Sequence, residues 1–191
     1  HLEVGSGSHA TQTGRIMERF ESLISAEANA GRPFDLVLVV GDVNSTLACT
    51  VVAAKANLPV AHVEAGLRSW DRTMPEEINR LATDALANVL FVSEPDAARN
   101  LHREGHPDEN IHLVGNVMID SLRQNLPRAL RRATLQQFGL DPGNYAMMTL
   151  HRPSNVDDPS QLASFHVPAS GLEARCRQSS MPPPSSGSPG A

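Results

Sequence analysis

The segment 35–42, Asp-Leu-Val-Leu-Val-Val-Gly-Asp, constrains the fold more strongly than any other part of this 191-residue chain. A continuous apolar run closed by a Gly-Asp pair indicates a strand that is buried on both faces, as in a parallel sheet. Asn44, Ser45 and Thr46 follow at once, and such side chains often cap the N-terminus of a helix. The pattern therefore predicts a buried strand that leads directly into a helix over 46–57.

The same strand-then-helix pattern recurs along the chain. Apolar runs bounded by turn residues predict further strands at 59–64, 90–93 and 111–115. Helical spacing of apolar residues, with Ile78 and Leu86 among them, predicts helices at 11–30, 78–89, 95–104 and 117–130. Alternating strands and helices with short connections give a parallel sheet with right-handed crossovers, so the predicted fold class is α/β.

The chain changes character after residue 130. Residues 131–144 are polar and contain an Asp-Pro-Gly turn, which favours a hinge, and 145–150 is predicted to be the first strand of a second α/β domain. The last thirteen residues hold four prolines, five serines and two glycines, a composition that cannot form a core. We therefore predict an N-terminal domain at 1–130, a hinge with the start of a second domain at 131–165, and a low-complexity tail at 166–191 that is disordered or frame-shifted.

Composition excludes several classes of protein. A net charge of −5 argues against a dedicated nucleic-acid binder. We expect no membrane association, because no stretch approaches the roughly 20 apolar residues of a membrane span. Cys49 and Cys176 are too few for a disulfide framework or a zinc site, so a cytoplasmic location is predicted.

Three acidic residues lie where predicted strands end or where the next helix begins. Asp42 ends the first strand, Glu64 ends the second, and Glu76 falls in the first turn of the following helix. Open parallel sheets bind ligands beyond the carboxyl ends of their strands, beside helix N-termini. We therefore expect these three carboxylates to converge on one edge of the sheet.

Two of these acids also have a purely structural interpretation. Asp42 can cap a turn, and Glu76 can complete a Thr-x-x-Glu capping box with Thr73. Glu64 closes a buried strand and has no comparable local role, so the three acids together favour a site. His62, in the same strand, is predicted only to fill space.

Basic residues accompany the acids. Arg80 lies four residues after Glu76, where it can either form a helix-surface ion pair or present a guanidinium to an acid or a phosphate. His151 and Arg152 follow the next predicted strand, again at its carboxyl end. Two cationic side chains in that position suit a phosphate group.

Five short segments, taken in order, resemble the UDP-N-acetylglucosamine 2-epimerase family. They are Gly-Asp at 41–42, His-Val-Glu-Ala-Gly at 62–66, Pro-Glu-Glu-Ile-Asn-Arg at 75–80, Val-Gly-Asn at 114–116 and His-Arg-Pro-Ser-Asn at 151–155. The resemblance covers roughly residues 1–165, and the second and third segments together form a long, specific motif.

The resemblance implies two Rossmann-like domains facing each other in a glycosyltransferase-B arrangement, with the second domain largely missing here. It implies a UDP-sugar substrate, interconversion of UDP-N-acetylglucosamine and UDP-N-acetylmannosamine, no metal or other cofactor, and homodimers among full-length members. It implies that Asp42, Glu64 and Glu76 are the acid/base candidates and that Arg80 and His151 bind the sugar nucleotide. We add Arg152 to the residues expected to bind it.

The implied chemistry explains why several carboxylates are needed. The proton on C2 of the sugar becomes acidic once UDP has left C1, and a carboxylate can then remove it to give a glycal. A second group must deliver a proton to the opposite face, so at least two acids in different protonation states are required.

Three alternatives stay open at this point. They are a hydrolysing 2-epimerase, a glycosyltransferase-B-type UDP-sugar transferase, and an inactive fragment with only a folding or binding role. The family's Gly-Thr-Arg-Pro-Glu segment and most of its C-terminal domain have no counterpart here. We therefore expect a chain truncated at both ends and inactive by itself.

Overall fold

A computed structural model of the chain describes residues 1–150 and 153–165. Four parallel strands form one sheet in the sequential order β1-β2-β3-β4. The strands are β1 Val37–Val40, β2 Val60–Val63, β3 Val89–Val92 and β4 Ile111–Leu113. The predicted α/β fold class and all four of these strands are confirmed.

Helices connect the strands in the predicted alternation. They are α1 His9–Asn29, α2 Asn44–Lys55, α3 Pro75–Leu86, α4 Pro95–Arg103 and α5 Val117–Leu130, with a 3-10 turn at Asp108–Asn110. Each helix carries the chain back to the start of the next parallel strand. The carboxyl ends of β1, β2 and β3 therefore lie side by side at one end of the sheet. No described helix is long and apolar enough to cross a membrane.

The chain divides after Arg132 into two compact units. The second unit contains the short helices α6 Thr134–Gln137, α7 Pro153–Val156 and α8 Pro159–Ser164. Residues 145–150, predicted to be a strand, have no regular secondary structure. A strand needs a hydrogen-bonded neighbour, and the described part of this unit has no other strand. The predicted boundaries at 130 and 165 stay predictions, and the tail at 166–191 lies outside the described residues.

The core lies between the sheet and its helices. Val60, Leu90, Val92 and Leu101 are fully buried, and Ala53 and Ala97 allow helices to approach the strands closely. The prediction that the first strand is buried on both faces is wrong. Val37 and Val39 face the core, whereas Leu38 and Val40 are 56% and 50% exposed, because this edge strand is covered on one face only.

Helix α3 is present as its apolar spacing predicted, but its buried face is polar. Ile78 and Leu86 are exposed, whereas Glu77, Asn79, Thr83 and Asp84 are buried. Buried polar groups are retained when they have hydrogen-bond partners. The partners of this face determine the geometry of the candidate site.

Candidate active site at the carboxyl edge of the sheet

Asp42 and Arg80 form an ion pair at the end of β1. Nη2 of Arg80 lies 2.6 Å from Oδ2 of Asp42, and the side chains are 12% and 26% exposed, respectively. Of the two sequence interpretations for Arg80, the one in which it orients an acid is therefore observed, in place of a surface pair with Glu76. The Nε–H of Arg80 is buried and has no acceptor among the described residues.

Side-chain amides from three helices fix the backbone around Asp42. Nδ2 of Asn79 donates to the carbonyl oxygen of Asp42 at 2.8 Å and also contacts Oδ1 of Asn44 at 3.3 Å. Nδ2 of Asn44 in turn donates to Oε1 of Gln12 at 2.7 Å. Sequence reasoning missed Asn79, although its place between Glu76 and Arg80 in the motif segment 75–80 could have drawn attention to it.

Glu64 ends β2 in an uncommon backbone conformation. Its φ of 69° lies in the left-handed region, which costs a non-glycine residue roughly 1–2 kcal/mol. Its carboxylate lies beside the turn before Asp42, since a Cβ placed on Gly41 would be 3.7 Å from Oε2 of Glu64. The structure thus brings Asp42 and Glu64 together at the ends of neighbouring strands.

The loop after Glu64 is pinned against α4. Gly66 has a φ of 77°, and an added Cβ would lie 2.9 Å from both the carbonyl carbon of Ala97 and Cδ1 of Leu101. Nδ2 of Asn100 donates to the carbonyl oxygen of Gly66 at 3.0 Å. Only glycine fits this position, so the direction of the chain leaving Glu64 is set by contact with α4.

The capping box predicted for Thr73 and Glu76 is wrong. Pro75 occupies the first turn, and the residue at the N-cap is Met74, so Thr73 lies one residue too early to cap the helix. The hydroxyl of Thr73 donates instead to Oδ1 of Asp71 at 2.6 Å. Glu76 is exposed at the rim.

Glu77 is the acid that organises this end of α3. Its carboxylate is buried and accepts from the backbone N–H groups of Ser69 at 2.9 Å and Trp70 at 3.3 Å, and from the Ser69 hydroxyl at 3.1 Å. Sequence reasoning missed this residue. The available signal was Pro75: it marks the start of the helix, which places Glu77, not Glu76, at the third helical position.

The sequence model of the family described as UDP-N-acetylglucosamine 2-epimerase matches residues 1–181. The chain belongs to this family.

Individual relatives of this chain are 2-epimerases as well. It is 42% identical over 168 residues to the UDP-N-acetylglucosamine 2-epimerase of Methanocaldococcus jannaschii, covering 86% of this chain and 44% of that protein. It is 40% identical over 166 residues to the UDP-2,3-diacetamido-2,3-dideoxy-D-glucuronate 2-epimerase of Pseudomonas aeruginosa, again covering 86% and 44%. The chain thus spans a little under half the length of these relatives.

Solved structures of the family share the fold. The crystal structure of the Methanocaldococcus jannaschii UDP-GlcNAc 2-epimerase in complex with UDP-GlcNAc and UDP superimposes with a TM-score of 0.74 at 40% identity, covering 92% of this chain and 46% of that one. The Neisseria meningitidis enzyme bound to UDP-GlcNAc gives a TM-score of 0.61 at 30% identity, covering 72% and 37%. The glycosyltransferase-B-like class expected from the sequence is therefore confirmed.

The remaining predicted site residues of this epimerase-family chain are not placed. His151 and Arg152 lie outside the described residues. Within the described part, no group of three or more His, Cys, Asp or Glu side chains could hold a metal ion. The described part of the site therefore consists of Asp42 with its partner Arg80, the unusual Glu64, and the exposed Glu76.

Proposed function

We propose that this chain carries the acid–base part of a 2-epimerase that interconverts UDP-N-acetylglucosamine and UDP-N-acetylmannosamine. The observation that supports this most strongly is the meeting of Asp42 and Glu64 at the ends of adjacent parallel strands. Glu64 is held there in a strained conformation with no hydrogen bond or ion pair among the described residues. Strained backbone of this kind concentrates at functional sites.

The proposed reaction begins with loss of UDP from C1 and continues by loss of the C2 proton, which leaves a glycal beside UDP. Protonation of C2 from the other face and re-addition of UDP complete the inversion. Two carboxylates on two strands can approach a sugar from different directions, which one acid cannot do. Asp42, Glu64 and Glu76 are the proposed proton-transfer groups.

The two better-placed acids differ in their surroundings. Arg80 fixes the orientation of the Asp42 carboxylate, whereas the oxygens of Glu64 have no hydrogen-bonded partner in the described residues. The structure therefore gives the two acids different contacts, one held by a guanidinium and one free to meet a ligand. We assign Arg80, His151 and Arg152 to binding of the UDP-sugar, with the guanidinium of Arg80 supplying further donors for a phosphate.

The sugar is assigned at the level of a class. The chain is about equally similar to a UDP-N-acetylglucosamine epimerase (42%) and to a UDP-2,3-diacetamido-2,3-dideoxy-D-glucuronate epimerase (40%). Both names describe 2-epimerisation of a UDP-linked acetamido sugar. The second sugar is therefore a second candidate substrate, and we propose a cytoplasmic, homodimeric enzyme for either.

Deuterium incorporation tests the function. Each UDP-sugar is incubated in heavy water with the 191-residue chain and, in parallel, with a chimera in which residues 1–130 replace the matching part of the Methanocaldococcus jannaschii enzyme. We expect the chimera to give the C2 epimer with deuterium at C2 and the chain alone to be inactive. Epimer without deuterium would exclude proton transfer. Free N-acetylmannosamine appearing in step with UDP would indicate the hydrolysing reaction instead.

A further inference from the structure

A buried charged network lies behind the loop that carries Glu64, and the proposed chemistry does not use it. His62 is completely buried on β2. Its Nδ1 lies 2.6 Å from Oδ1 of Asp84, and its Nε2 lies 2.8 Å from the carbonyl oxygen of Gly41. A carboxylate and a carbonyl can only accept, so each ring nitrogen acts as the donor in its contact.

Asp84, on α3, is also completely buried, and it uses both of its oxygens. While Oδ1 accepts from His62, Oδ2 accepts from the backbone N–H of Gly66 at 3.0 Å and from Nη1 of Arg68 at 2.8 Å. One carboxylate thus connects the strand before Glu64 to the loop after it.

Arg68 extends the network to α4. Its Nε lies 2.8 Å from Oε1 of Glu104 and its Nη2 lies 2.5 Å from Oε2 of the same carboxylate, a bidentate pair. Burial acts to lower the pKa of Arg68, but the hydrogen bond with Glu104 and the charge of Asp84 outweigh it, so the pKa lies above its ordinary value. The guanidinium therefore keeps its charge.

Basic and acidic side chains are paired in the network. His62 and Arg68 contact the carboxyl groups of Asp84 and Glu104, and three of the four side chains are at 0% exposure. Isolated buried charges cost several kcal/mol, whereas paired and hydrogen-bonded ones are tolerated. If one member is removed, the buried groups that hydrogen-bond to it lose their partner.

We propose that Asp84 is a positioning residue that fixes the spacing of Asp42 and Glu64. The connection runs from Gly41, next to Asp42, through His62 to Asp84, and from Asp84 to Gly66, two residues after Glu64. Asp84 thus holds both acids by their backbones without contacting the substrate. The naming of the two acids rests on the proposed function, but the linkage itself is a property of the fold.

Amide hydrogen exchange on the complete 191-residue chain tests this linkage. In Asp84→Asn an NH₂ group, which can only donate, replaces one of the two carboxylate oxygens, so either the His62 side or the Gly66 and Arg68 side of the linkage loses its acceptor. The amides of Gly41 and Gly66 report on the two sides of the linkage. The Gly41 amide donates to Val63, and the amide of Val37 donates to Pro59 at the opposite end of the same strand pair.

We expect Asp84→Asn to accelerate exchange at Gly41 and Gly66 by about 10-fold or more while Val37 changes by less than about 3-fold, since local opening is separable from global unfolding. Equal acceleration at all three amides would show that Asp84 only stabilises the fold, and would overturn the proposal. No acceleration at Gly41 and Gly66 would also overturn it.

Thr83→Val is the matched control. Thr83 is the neighbouring residue, is equally buried, and has a hydroxyl with no hydrogen-bond partner among the described residues. We expect it to leave exchange at Gly41 and Gly66 unchanged. Acceleration there as large as in Asp84→Asn would show a general sensitivity of α3 and would contradict the proposal.

A second measurement covers the case in which Asp84→Asn does not fold. In the unaltered chain, nitrogen-15 spectra of the histidine side chains should show two slowly exchanging ring N–H signals for His62. A single ring N–H signal would mean that one of the two hydrogen bonds is absent, and it would overturn the proposal. Neither measurement needs an active enzyme, so failure of the proposed function is distinguishable from failure of this inference.

Discussion

Arg80 holds the carboxylate of Asp42 through a contact of 2.6 Å between Nη2 and Oδ2, joining the first helical turns of α3 to the end of β1. Asn79, the residue before Arg80, holds the carbonyl oxygen of the same aspartate. Two consecutive residues of one helix therefore fix both the side chain and the backbone of Asp42. The orientation of this acid is built into the fold before any substrate binds.

Arg80→Lys should separate charge from geometry. A lysine keeps a positive charge but cannot reproduce the planar guanidinium, so the Asp42 carboxylate loses its fixed orientation. We expect the turnover of the chimera to fall by about 10-fold or more, while the free energy of unfolding of the chain falls by only about 1 kcal/mol because the pair is partly exposed. Steady-state kinetics and urea denaturation measure the two effects. Unchanged turnover would contradict an orienting role.

Glu64 gives a prediction in which activity and stability move in opposite directions. Glu64→Gln keeps the side-chain size and the positive φ but removes the acid, so turnover should fall by about 100-fold or more with little change in stability. Glu64→Gly also removes the acid but relieves the strain, and it should be more stable than Glu64→Gln by about 1 kcal/mol. Near-full activity in Glu64→Gln would rule out its role, and equal denaturation midpoints would show that the backbone is not strained.

The strands and most helices were predictable because their signals are local. Apolar runs closed by Gly-Asp or by turn residues marked the strands, and α2 begins at Asn44 and α4 at Pro95, both within two residues of the prediction. The exposed face of β1 was not predictable in this way. Whether Leu38 and Val40 are covered depends on what packs against the sheet, which the strand's own sequence does not contain.

The site was predictable only in part, for a related reason. Asp42 and Glu64 could be placed together because parallel strands end at one edge. The network behind them was missed because His62 and Asp84 are 22 residues apart, on a strand and a helix whose packing had to be known first. The apolar spacing of α3 pointed to its exposed residues and away from Asp84.

Glu76 and Glu77 are adjacent acids with opposite expected behaviour. Glu76 is exposed, so Glu76→Gln should change the free energy of unfolding by less than about 0.5 kcal/mol, yet lower turnover of the chimera by about 100-fold if it transfers protons. Glu77→Gln weakens the hydrogen bonds to Ser69 and Trp70 and should cost about 1–2 kcal/mol. Urea denaturation of both variants tests which of the two acids supports the fold. A larger loss of stability in Glu76→Gln than in Glu77→Gln would give the structural role to Glu76.

Gly66 provides the sharpest test of how the Glu64 loop is packed. A methyl group on Gly66 would meet the backbone of Ala97 and Cδ1 of Leu101, the two carbon atoms lying 2.9 Å away, and neither the α4 backbone nor the buried leucine can move freely. Gly66→Ala should therefore destabilise the chain by about 3 kcal/mol, combining the left-handed backbone with overpacking.

Gly31→Ala is the matched control for Gly66→Ala. Gly31 has nearly the same backbone conformation, with a φ of 75° against 77°, but no atom lies within 4 Å of its added Cβ. Only the conformational penalty applies there, so the expected loss is about 1 kcal/mol. Denaturant unfolding of the two variants gives the difference directly. If both lose the same free energy, the contact with α4 contributes nothing, and the loop carrying Glu64 is not held from that side.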